Sequence, residues 1–289
     1  MAIFKLINKY FIKSVVGLLC VFGLPLFFSL MFFAMGKNQF AISFPVVVTS
    51  GIMSVTLMII PTLIIDLRKS LILKRIGTSQ ISTHHFVFIL VMYFYFWIFV
   101  TIAYSFVLFA IISPIAIGWD RAWQNHFVGG TIYASLILGT MGIVVSVFIG
   151  TLCKNAMIAS AISFIIIFFS MFTSGLLMPF SIIRQIDAMT ILNYFLPFNW
   201  PMLMMQESWG ISGFNLDNPL MPQIIVVSGN IWNWNAELKS NIFQFGGTTP
   251  LLDFTMISKL AKIWNIFAPY VVLTVWTTTI ALAFKWTER

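Results

Sequence analysis

The chain has 289 residues, of which 60% are hydrophobic and 8% charged, with a formal net charge of +8. A soluble domain carries about 25% charged residues because its surface faces water, so a water-exposed globular fold is excluded. The basic residues sit in short clusters between apolar runs rather than in one stripe, which argues for topology and anionic headgroups and against nucleic acid.

The expected architecture is an all-α membrane protein: six transmembrane helices, an N-terminal interfacial helix, and an extracytoplasmic region before the last span. Residues 1–13 come before any span. At about 100° per residue, Lys5, Lys9 and Lys13 share one helical face, opposite Ile3, Phe4, Leu6, Ile7, Tyr10 and Phe11, with Ile12 the exception. A basic face opposite an apolar one describes a helix lying in the membrane interface. A plain basic flank that fixes topology fits the same residues.

Six runs are long enough to cross about 30 Å of hydrocarbon: residues 14–35, 43–65, 86–113, 128–152, 156–178 and 264–285. The first is too long for the core of a signal peptide and no small-residue cleavage site follows it, so it is expected to be retained. Pro25 and Pro61 fall inside the first two and are expected to kink them. Only Cys153, Lys154 and Asn155 separate the fourth and fifth runs, which must form an antiparallel hairpin.

Ten of the sixteen Lys and Arg residues fall on one side: Lys5, Lys9, Lys13, Arg68, Lys69, Lys74, Arg75, Lys154, Lys285 and Arg289. The short loops of the other side hold only Lys37 and Arg121. The expectation is therefore a multi-pass cell-membrane protein with both termini in the cytoplasm. Residues 14–178 hold spans one to five, 179–263 the extracytoplasmic or outer-leaflet region, and 264–289 span six with a tail. Within 179–263 the stretch Ser181 to Trp209 alternates apolar and polar residues, which predicts short helices on or dipping into the outer leaflet.

The interiors of the six runs contain no Asp, Glu, Lys, Arg or His. Proton-coupled carriers need such groups at membrane depth, so that class is disfavoured. Sodium coupling through carbonyls and hydroxyls is only weakened. His84 and His85 are adjacent and diverge on a helix, and His126 is alone. No zinc-protease, nucleophile-elbow or paired-cysteine motif occurs, and Cys20 and Cys153 read as packing residues. The single Gly36–Lys37 pair precedes Asn38 and makes no phosphate-binding loop. No catalytic, cofactor-binding or metal-binding residue is expected in this chain, and no enzyme activity of its own.

One loop is longer than a turn requires. Residues 66–85 carry two basic pairs, Arg68–Lys69 and Lys74–Arg75, then Gly77, which suits a helix end. Ser79, Ser82 or Thr83 can cap the helix that follows. The residues alone allow a topology-setting loop or a docking helix. The stretch 71–82 (LILKRIGTSQIS) resembles the first cytoplasmic loop of the type-two family of ATP-binding-cassette (ABC) transporter permeases. The segments 174–180 (SGLLMPF) and 196–201 (LPFNWP) resemble that family's motifs after span five. The order of elements agrees along nearly the whole chain. Gln80 stands where the family often has proline, and Arg68–Lys69 where an acidic residue is frequent.

The resemblance implies a single permease domain over 1–289. An ATPase-docking coupling helix would use Arg68, Lys69, Leu71, Lys74, Arg75, Ile76, Gly77 and Thr78, with Gly175, Pro179 and Pro197 in the outer motif. It also implies a cytoplasmic ABC ATPase subunit holding ATP and Mg2+, a second permease, identical or homologous, and export of a cargo. A sodium-coupled or facilitative carrier, a membrane-embedded lipid-modifying enzyme and a structural scaffold are the competing readings.

Overall fold

The computed structural model describes residues 7–8, 11–12, 14–35, 43–69, 83–116, 128–174, 176–177 and 196–209, with 270, 271, 274, 275 and 278. Among the described residues every regular element is helical. Helix α1 comprises Val15–Leu18, a π-helical Leu19–Gly23 and Leu24–Met35. Helix α2 repeats that plan with Phe44–Met53, a π-helical Ser54–Ile59 and Ile60–Lys69. Helices α3 (Thr83–Ala116), α4 (Val128–Leu152), α5 (Ala156–Thr173) and α6 (Asn199–Ser208) follow.

Among the described residues four stretches are long and apolar enough to cross a membrane: Phe44–Arg68, Phe88–Ile115, Val128–Leu152 and Ala156–Thr173. Leu19–Met35 is a shorter apolar helix. The four overlap predicted spans two to five, and the shorter helix covers part of the first predicted run. The sixth, 264–285, lies mostly outside the described residues; its helical Tyr270 shares a hydrogen bond between hydroxyls with Tyr133 of α4.

Helix α2 is the centre of the bundle. Of its apolar window 83% is buried, against 61% for α4 and 33% each for α3 and α5. The outward sides of α1, α3 and α5 carry exposed Leu, Ile and Phe, including Phe27, Phe96, Ile111, Phe164, Ile165 and Phe172. Such a surface is compatible with lipid as the solvent, since apolar residues facing water in this density would aggregate.

The predicted hairpin is present. Helix α4 ends at Leu152 and α5 begins at Ala156, where extended Asn155 caps the new helix by accepting the Met157 N–H at 3.0 Å. Helix α5 stops at Thr173 instead of reaching 178. The Leu177 N–H folds back onto the Met171 carbonyl, and the Ser174 carbonyl is taken by a side chain of α6, so the chain turns away.

Ahead of α1, Ile7 and Phe11 are buried, whereas Ile12 is 51% exposed. Ile12 is the residue that the sequence placed as the apolar exception on the expected basic face. Phe11 stacks on Trp97 at 4.3 Å and meets the edge of Tyr93, whose hydroxyl donates to Asn8 Oδ1. The segment is thus packed on α3 rather than held by lipid alone. Lys5, Lys9 and Lys13 lie outside the described residues.

The two expected kinks take a specific form. Each π segment ends two residues before a proline, Gly23 before Pro25 and Ile59 before Pro61. Proline has no N–H and its ring clashes with the carbonyl four residues back. Widening the turn relieves that clash.

Candidate functional site

Hydrogen bonds between elements mark both ends of the bundle. At the end where α2 and α4 finish and α5 begins, Arg68 is exposed, yet its guanidinium donates to the carbonyls of Gly150 (3.1 Å) and Thr151 (2.8 Å). Those carbonyls belong to the last turn of α4, where no later N–H is available to them. A cation there also offsets the negative end of the helix dipole. Arg68 therefore ties the foot of α2 to the foot of α4, with Asp66 exposed beside it. Replacing Arg68 by Ala should cost about 1 kcal/mol of unfolding free energy, and Arg68→Lys less, because one ammonium can still reach one carbonyl. Thermal unfolding in detergent checks the order.

At the opposite end, where α2 and α4 begin and α5 stops, the ten-residue α6 is inserted among the spans. Pro197 lies buried in the turn that leads into it, with Phe198. Met202, Met204, Met205, Gln206 and Ser208 are also buried. Polar side chains so buried must be satisfied within the protein. Gln206 Nε2 donates to the Ser174 carbonyl at 2.9 Å. Asn199 pairs with the Thr173 hydroxyl, Ser208 with Thr131 at 2.9 Å, and the Thr49 hydroxyl donates to Met205 Sδ at 3.4 Å. Helix α6 is thereby stitched to α5, α4 and α2.

Aromatic packing completes this plug. Trp209 stacks on Phe44 at 4.1 Å with planes 18° apart and meets Phe109 edge-on at 4.9 Å. Phe44 also touches Phe106 and Phe109.

Of the residues singled out in the sequence, Arg68 and Lys69 end α2 and Pro197 leads into α6. Leu71, Lys74, Arg75, Ile76, Gly77, Thr78, Gly175 and Pro179 lie outside the described residues. Sequence reasoning missed Thr49, Thr131, Thr173, Ser174, Asn199, Gln206 and Ser208. Its one hint was the alternation through Ser181 to Trp209, which marked an amphipathic stretch without saying that Asn199, Gln206 and Ser208 would be buried.

Among the described residues no group of three or more His, Cys, Asp or Glu side chains could hold a metal ion. The buried polar side chains there are hydroxyls and amides, with no carboxylate, ammonium or guanidinium. Such a set can donate and accept hydrogen bonds, and it offers no acid or base that titrates near neutrality. No family model, curated protein or solved structure matches the chain.

Proposed function

We propose that the chain is the membrane-spanning permease subunit of an ABC exporter, with six spans and both termini in the cytoplasm. The observation that carries the reading is the tie from Arg68 to α4 at the end of α2, directly before the basic sequence of residues 69–75. In the proposed orientation that end faces the cytoplasm and α6 lies in the outer leaflet. Among the described residues no Asp, Glu, Lys, Arg or His side chain is buried, which supports a transporter whose energy comes from another chain.

The mechanism follows from the tie. A cytoplasmic ATPase, which would hold ATP and Mg2+ itself, docks under residues 66–82. Its closure pushes the foot of α2, and Arg68 passes the push to α4 as a rigid-body displacement. Helices α2 and α4 reach the plug end, where they hold α6 through Thr49 and Thr131. Their movement loosens the plug and opens a way out for cargo. Two such permeases, identical or homologous, would pair to enclose that route.

The test is copurification of an ABC ATPase from native membranes, followed by ATP-driven transport in vesicles. The combined change Lys74→Glu, Arg75→Glu and Gly77→Val should reduce the bound ATPase by about tenfold or more. An undiminished complex would reject 66–82 as the docking helix. Cargo movement that follows a sodium gradient and ignores ATP would replace the exporter reading with the carrier.

A further inference from the structure

In a π-turn the N–H of each residue bonds to the carbonyl five residues back, as Leu24 does to Leu19. One position on, Pro25 has no N–H for the carbonyl of Cys20. In the same register Pro61 has none for the carbonyl of Thr56. Each π segment therefore leaves one buried carbonyl without its backbone donor, a state that interiors do not tolerate unrepaired.

Both carbonyls are satisfied in the same way, by a serine from a neighbouring helix. Ser54 of α2 donates to the Cys20 carbonyl at 3.0 Å, and Ser146 of α4 donates to the Thr56 carbonyl at 2.7 Å. Ser54 itself lies within the second π segment, so the two repairs form a chain from α4 through α2 to α1. The prolines are seated closely. A Cβ added at Gly51 would lie 2.9 Å from Pro25 Cγ, and one at Gly150 would lie 3.2 Å from Pro61 Cα.

Each serine also has an acceptor on its own helix, Gly51 for Ser54 at 2.9 Å and Gly142 for Ser146. A hydroxyl has one hydrogen to give. It can therefore leave the neighbouring carbonyl without becoming unsatisfied itself. That supplies two discrete arrangements at one place in the bundle.

We propose that the paired π segments, each followed by a proline, are a flexure joint, at which the Arg68 ends of α1 and α2 swing relative to the ends nearer α6. In the closed arrangement Ser54 and Ser146 bridge to the orphaned carbonyls. In the open one they turn back to their own helices, and water reaches the carbonyls of Cys20 and Thr56. The joint works in this way whether or not an ATPase docks beneath it.

Cys20 is a built-in reporter, since the residue is 4% exposed and sits in the first π segment. In the full chain carrying Cys153→Ser, held in lipid nanodiscs, a small neutral maleimide reads the opening as the labelling rate at Cys20. Ser54→Ala and Ser146→Ala should each raise that rate about fivefold or more, by favouring local opening. Ser50→Ala is the control, because its hydroxyl bonds only to Val47 of the same helix, at 2.9 Å. Pro25→Ala and Pro61→Ala restore the missing N–H groups and should slow labelling by about the same factor. With Pro25→Ala present, removing the Ser54 hydroxyl should then have no effect. Serine variants that label like Ser50→Ala, or proline variants that label at the unsubstituted rate, would overturn the joint.

Discussion

Gly142→Ala should destabilise the bundle by about 1–3 kcal/mol, the usual cost of forcing extra volume into a packed core. The new Cβ would lie 2.7 Å from Thr56 Cβ and closer still to its Oγ1. Thr56 cannot step aside. Its side chain is β-branched and stiff, and its hydroxyl is fixed on the Ile52 carbonyl at 2.9 Å. The strain would push α4 from α2 and lengthen the Ser146 bond to the Thr56 carbonyl. Gly139, one turn earlier, is the comparison. A Cβ there meets Ile98 Cδ1 at 2.8 Å, the free end of a flexible side chain, and a change of rotamer should keep the loss under about 1 kcal/mol. Unfolding of the two variants in detergent should rank Gly142→Ala well below Gly139→Ala. Adding Thr56→Ala should restore much of the loss, because the two sites share one contact. Equal losses at Gly139 and Gly142 would mean that the close approach of α2 and α4 is not a constraint.

Much of this bundle was legible because the runs are bounded by charge. Lys154 and Asn155 end one apolar stretch and begin the next, and Asn155 is a capping residue, so the hairpin could be placed to the residue. Pro25 and Pro61 announced a break in each of the first two helices. How each break is repaired could not be read, since the hydroxyls that do it stand 34 and 90 residues away from the carbonyls they serve. Periodicity was silent on which helix is central. A span is apolar all round, and the side facing lipid has the same composition as the side facing another helix. Helix α2 and helix α3 therefore look alike in sequence, although one is enclosed and the other mostly faces outward. The enclosure of α6 was unreadable for a related reason. Gln206 and Asn199 suggest a wet surface, and only the neighbouring Ser174 carbonyl and Thr173 hydroxyl turn them into interior residues.

The functional reading divides in the same way. The docking loop was chosen from its basic pairs and its resemblance, and Arg68 proves to spend its guanidinium on α4. In the proposed mechanism that contact would carry the load from α2 to α4. Lys74 and Arg75 are left as the cations for the ATPase in the proposed complex. The plug, by contrast, had no motif to announce it, and its claim to function rests on geometry alone.

Trp209→Ala should be the most damaging single change at that plug. The indole is 6% exposed, lies flat on Phe44 and is met edge-on by Phe109. Removing it leaves a cavity between the beginning of α2, α3 and the end of α6, at a cost of about 3–5 kcal/mol. Trp209→Phe keeps a ring over Phe44 and should retain most of the stacking. Gln206→Leu probes the polar side of the same plug. It preserves bulk but strips the Ser174 carbonyl of its donor, which should cost about 1–3 kcal/mol. Stability alone does not show that the plug gates anything, so a second readout is needed. In vesicles, a gate weakened from the α6 side should let cargo leak without ATP while the bound ATPase remains in place. Loop variants should do the reverse, losing the ATPase and keeping the barrier closed. If Trp209→Ala and Gln206→Leu destabilise the protein but leave the barrier tight, α6 is a structural lid on the bundle and the outlet lies elsewhere.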